Sequence, residues 1–103
     1  MTDQEVAKTC ARRLRAMAET HRLRIIDGLR TGSKNVTELA TLLGVEIVSV
    51  SHHLGVLRAA KLVNDVKDGR FVIYSLNPQF FTNDATNSTF VNLGWCRIEI
   101  PHN

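Results

Sequence analysis

Long apolar runs are missing from this 103-residue sequence. No stretch is long enough to cross a bilayer and no secretory h-region stands near the start, so a cytoplasmic location and no membrane partner are expected. Cysteine is sparse. Cys10 and Cys96 are the only two, far apart and outside any CxxC spacing, so a structural disulfide is not the default expectation. Catalytic signatures are lacking too: there is no phosphate-binding glycine loop, no HExxH and no nucleophile motif with placed partners, and an enzyme is not expected. His52 and His53 are adjacent on a helical stretch, so their side chains point about 100° apart and do not converge on one metal. Extreme charge is also absent. Lys and Arg number 13 against 10 Asp and Glu, a formal net charge of +3 with a pI of about 9.2, which permits a polyanionic partner without demanding one.

What is present is ordinary globular material, 44% hydrophobic and 22% charged, enough for one core. So small a fold buries proportionately little surface, and pairing with a second copy would stabilise it. Arg12, Arg13, Arg15, Arg22, Arg24 and Arg30 crowd the first third, opposed locally only by Glu19 and Asp27. A solvated helix face and a surface for a polyanion are both open for them.

Apolar residues at Val6, Cys10, Leu14 and Met17 fall at intervals of three and four, which predicts a helix over 3–19. Leu23, Ile25, Ile26 and Leu29 predict a second, stopping near Thr31-Gly32-Ser33. Asn35 and Glu38 have the spacing of a capping box, and Leu39, Leu42 and Leu43 form the buried stripe of a short third helix. Gly44 can end it in a left-handed conformation. A fourth helix is predicted over 47–60, with Val50, Leu54 and Leu57 on one face. Two short helices joined by a tight glycine turn outline a helix-turn-helix.

Asp68-Gly69, between Leu62-Val63-Val66 and Phe71-Val72-Ile73-Tyr74-Ser75-Leu76, predicts a β-hairpin. The expected fold is mainly α with a β-hairpin: a winged helix-turn-helix of four helices, a wing and a strand-like tail. Residues 78–81 suit a single turn. Residues 82–89 (TNDATNST) suit a polar loop. Cys96, Ile98 and Ile100 alternate with Arg97 and Glu99, which predicts a strand without naming its partner. The division follows as a DNA-binding domain over 1–81 and a loop and tail over 82–103, the tail belonging to the same domain or to a dimer interface.

Three strings carry a resemblance: Ala16-Met17-Ala18-Glu19-Thr20-His21-Arg22-Leu23-Arg24-Ile25-Ile26, Val50-Ser51-His52-His53-Leu54-Gly55-Val56-Leu57-Arg58, and Asp68-Gly69-Arg70-Phe71-Val72-Ile73-Tyr74. Over roughly residues 10–78 the chain resembles the ArsR/SmtB-type repressors, the three strings matching the start of their second helix, their recognition helix and their wing. The resemblance implies a homodimeric repressor that leaves its operator when an inducer, often a metal ion or an oxidant, binds. Two departures stand out. Glu46-Ile47-Val48 replaces the usual polar opening of the recognition helix, and a loop with a strand replaces the family's terminal dimer helix.

A recognition helix reads base edges in the major groove through side chains near its N-terminus. Ser49, Ser51 and His52 can hydrogen-bond there, and the resemblance puts Ser51 and His52 where family members touch DNA. Ile47 and Val48 can only meet a thymine methyl. Arg70 at the wing tip suits a phosphate or the minor groove, while Lys34, Thr37, Arg58 and Lys67 suit phosphates. His53 reads as a partly buried helix residue. No cofactor is required; for an inducer, a metal ion or an oxidant, the available ligands are Cys10, Cys96 and His102. Were the tail to pack on the first helix, Cys10 and Cys96 could form a redox-switchable disulfide; two buried apolar side chains are the plainer reading. The partner is double-stranded DNA bearing an inverted repeat. The competing reading is a winged-helix protein-interaction module presenting Ile47 and Val48.

Overall fold

In the computed structural model, which describes residues 2–85 and 88–101, the chain opens with α1 (Asp3–Met17) and α2 (Thr20–Leu29). A two-residue strand, β1 (Lys34–Asn35), leads into α3 (Val36–Leu43) and α4 (Ile47–Ala59). The wing strands β2 (Val63–Asp68) and β3 (Phe71–Leu76) follow, and β4 (Phe81–Asn83), β5 (Thr89–Asn92) and β6 (Arg97–Ile100) complete the described chain.

Each helix start has a chemical cause. Thr2 Oγ1 accepts from the Glu5 N–H at 3.2 Å while the Thr2 N–H donates to Glu5 Oε2 at 2.9 Å, closing a capping box on α1. The expected box on α3 is present: Asn35 Oδ1 accepts from the Glu38 N–H at 2.8 Å and Glu38 Oε1 from the Asn35 N–H at 2.9 Å. Gly44 ends α3 at φ 68°, ψ 36°, and α4 leaves the turn at 112° to α3, within the helix-turn-helix range. A Cβ at Gly44 would meet nothing within 4 Å, so Gly44→Ala is expected to cost only the left-handed penalty of about 1–2 kcal/mol. Thermal melts should show a fall of about 4–8 °C per kcal/mol.

The helices enclose Ile25, Ile26, Leu39, Val50, Leu54 and Leu57, sealed by Leu62 and Val63 at the base of the wing, all buried. The wing turn differs by one residue from the Asp68-Gly69 pair read in the sequence. Asp68 pairs with Phe71, leaving Gly69–Arg70 as the two-residue loop. Gly69 alone carries the positive φ (61°), as a type II′ turn requires. β1 adds a third strand through Lys34↔Tyr74 and Asn35↔Ile73; two residues are too few for any periodicity to reveal.

The tail departs further from expectation. Residues 82–89 do not form one loop: Thr82 and Asn83 belong to β4 and Thr89 opens β5, and the two strands pair antiparallel. The strand expected around 96–100 is β6, and its partner is β5. Burial of Phe81, Thr89 and Val91 explains the strand ends inside a polar stretch. The single turn over 78–81 is as expected, with the Phe80 and Phe81 N–H groups both donating to Asn77 O at 3.0 Å. Residues on both sides of the 81/82 division share one buried cluster, since Phe80, Phe81, Val91 and Leu93 pack with the helical core. No single helix among the described residues is long and apolar enough to cross a membrane.

Candidate nucleic-acid interface

The two faces of α4 have opposite surroundings. Val50, Leu54 and Leu57 point into the core, whereas Val48 is 80% exposed and Ile47 50%. Ser51 and His52 are exposed beside them, and Ser49 is half-buried. Glu46 occupies the N-cap position without a side-chain cap hydrogen bond. The first amide groups of α4 are therefore left for solvent or an anion, at the positive end of the helix dipole. Thr37 is exposed in the first turn of α3. Arg70 stands exposed at the wing tip, its guanidinium 5.2 Å from the Phe71 ring centroid.

Other basic residues already have partners within the chain. Lys34 Nζ donates to Gly28 O at 2.5 Å and reaches Thr31 Oγ1 and Gly32 O, which makes it a cap on the C-terminus of α2. Arg58 pairs with Asp65 at 2.9 Å. Among the six early arginines, Arg13 donates to Leu93 O at 3.0 Å and covers the Phe80 ring, and Arg24 donates to Leu43 O at 3.1 Å. Arg30 donates to Thr89 Oγ1 at 2.9 Å and pairs with Asp27. Arg13 and Arg30 tie helices to the tail, while Arg24, itself exposed, caps the C-terminal end of α3. Lys67 remains exposed on β2.

A polar hub fastens the back of α4 to α2. Glu19, the N-cap of α2, accepts from the Arg22 N–H at 3.0 Å. Arg22 donates through Nε to Ala16 O, and its Nη1 lies 3.2 Å from His53 Nδ1. His53 is half-buried and stacks on His21 with ring centroids 5.4 Å apart. Burial pushes the His53 pKa down, and Arg22, His21 and His52 add to this, against an opposing pull from Glu19. For Glu19, burial pushes the pKa up, but the Arg22 N–H, the neighbouring histidines and the His21 N–H together hold it below its ordinary value. Sequence reasoning found His53 but not this hub. Arg22 and His53 lie 31 residues apart, and no local pattern connects them.

The two cysteines meet. Cys10 Sγ on α1 and Cys96 Sγ in the tail are 2.7 Å apart, both as free thiols. The hydrogen bond to Cys10, then burial, raises the Cys96 pKa. His102, the third ligand considered from the sequence, lies outside the described residues.

Residues 20–65 match the family model described as bacterial regulatory protein, arsR family. The chain is 43% identical over 74 residues to the HTH-type transcriptional regulator NmtR of Mycobacterium tuberculosis, covering 72% of this chain and 62% of that protein. It thus spans less than two thirds of NmtR. The transcriptional repressor SdpR of Bacillus subtilis is 32% identical over 82 residues, covering 78% of this chain and 90% of SdpR. Among solved structures, the homodimeric winged helix-turn-helix DNA-binding domain Mb0332 from Mycobacterium bovis superposes with a TM-score of 0.69 at 28% identity, covering 77% of this chain and 75% of that one.

Proposed function

The chain belongs to the arsR family of bacterial regulatory proteins, and on that premise we propose that it is a homodimeric transcriptional repressor binding an inverted-repeat operator, not an enzyme. The exposed face of α4 carries this reading. Its far side is locked into the core, so the helix is held rigidly with Ile47, Val48, Ser51 and His52 facing outward. Ser51 and His52, with Ser49 at the margin, supply the hydrogen bonds to base edges, and Ile47 and Val48 meet thymine methyls. Arg70 and Thr37 contact the backbone, as does the uncapped start of α4. Lys34 acts there indirectly, by holding the end of α2 against β1, since its ammonium is engaged by carbonyls. Cys10 and Cys96 supply the thiol element through which an oxidant would release the operator.

Selection of bound sequences from random DNA tests this reading. The selected pool is expected to converge on an inverted repeat with half-sites about one helical turn apart. Affinity for it should fall steeply with salt, and Arg70→Ala should flatten the log-log slope by about 1.8, at about 0.9 per phosphate contact in each of two subunits. Uniform weak binding across the pool would end the repressor reading. The same exposed Ile47 and Val48 support a second one, a protein-interaction module. Capture of a partner that is lost on Ile47→Ser, with no DNA selected, would favour it.

A further inference from the structure

The hub behind the recognition helix holds a second chemistry that the repressor reading does not use. We propose that Glu19, His21 and His53 form a binding site for a borderline divalent metal ion of the Zn2+ class, bridging the start of α2 to α4. One donor atom from each of the three residues lies within 4.8 Å of the other two. His21 Nδ1 is 3.3 Å from Glu19 Oε1 and His53 Nδ1 is 3.7 Å from Glu19 Oε2. Two ligands bound to zinc at 2.0–2.1 Å in a tetrahedron sit about 3.3 Å apart, so the pairs already stand near a ligand edge. The two imidazoles approach different oxygens of one carboxylate, and a small rotation of that carboxylate, or bidentate binding, closes the set.

The donor types select the ion. Two imidazoles and a carboxylate suit Zn2+ and its neighbours. Mg2+ and Ca2+ prefer oxygen throughout, and soft ions prefer thiolate. All three residues are only partly buried, which leaves a route for the ion and a coordination position for water. Arg22 is the opposing feature, because its Nη1 occupies His53 Nδ1. The ion displaces that contact and the His21–Glu19 pairing, and it shares the Glu19 carboxylate with the Arg22 N–H, while Arg22 keeps its bonds to Ala16 O and Arg15 O. Occupancy exchanges a guanidinium contact for a metal bridge at the residue next to His52.

Titration of the whole reduced protein with Co2+ tests the site, with Zn2+ as competitor. The expected result is d–d absorption in the visible without a thiolate-to-cobalt charge-transfer band, reversed by Zn2+. His21→Ala should weaken the affinity at least about tenfold, since even second-shell losses cost 10–100-fold. The thermal midpoint of the variant is measured alongside, to show that it folds. Absence of visible absorption, a thiolate band, or a smaller loss in a folded His21→Ala protein would overturn the site. Operator binding of metal-free protein is measured separately, so a failure of the repressor reading is distinguished from a failure of the metal site.

Discussion

Treatment with a hydroperoxide is expected to raise the unfolding free energy by up to about 4–5 kcal/mol, through a disulfide between Cys10 and Cys96. The reaction balances as two thiols and one hydroperoxide giving one disulfide, one alcohol and one water; the sulfurs are oxidised and the peroxide O–O bond is reduced. Little movement is needed, because the two Sγ atoms are already 2.7 Å apart. The gain comes from the unfolded chain: the cross-link joins residues 86 apart, and closing a loop of that order removes about 4–5 kcal/mol of chain entropy in the loop-closure model. A rise in thermal midpoint of about 4–8 °C for each kcal/mol gained follows, and Cys96→Ser should show none. Since the Cys96 thiol is held protonated above its ordinary pKa and the thiolate is the nucleophile, oxidation should accelerate as pH rises. Operator affinity in the same samples is expected to fall. An unmoved midpoint would remove the thiol element altogether. A raised midpoint with unchanged affinity would make the pair a lock on the fold and end the idea of oxidative release.

Ser51→Asp is expected to abolish specific DNA binding while leaving the fold intact. The position is exposed on α4, and surface changes of this kind usually alter stability by less than about 0.5 kcal/mol. At the groove the effect is of another order. The variant loses a hydroxyl donor and brings a carboxylate toward phosphates, in both half-sites of a dimer. A lost base contact costs about 1–3 kcal/mol, so two copies weaken binding by at least about 30-fold. Circular dichroism melts and titration of the selected operator separate the two effects. Affinity within threefold of the parent would remove Ser51 from the interface and, with it, the assignment of the α4 face.

The fold was legible where the code is local. Asn35 and Glu38 reach only each other, Gly44 answers to its own backbone, and the apolar stripe of Val50, Leu54 and Leu57 follows from the helical repeat. All of these came from windows of a few residues. The wing turn was displaced by one residue because Asp-Gly and Gly-Arg are both serviceable turns, and only the pairing of Asp68 with Phe71 chooses between them. The strands of the tail were harder. β4 has three residues and β5 four, too short for alternation to stand out from a polar loop, and their strand state depends on Phe81 and Val91 finding the helical core.

The long apolar runs, catalytic motifs and clustered cysteines that this chain lacks had already narrowed its nature. By itself the sequence determined four helices, a hairpin and which face of α4 is apolar, because each depends on spacing along the chain. Only the tertiary structure decided that Cys10 meets Cys96, that Arg13 and Arg30 hold the tail, and that Glu19 and His21 converge with His53. Contacts across 31 to 86 residues leave no periodic trace. They depend on how the helices and the tail sheet pack, and packing is set by the whole core rather than by any neighbouring residues.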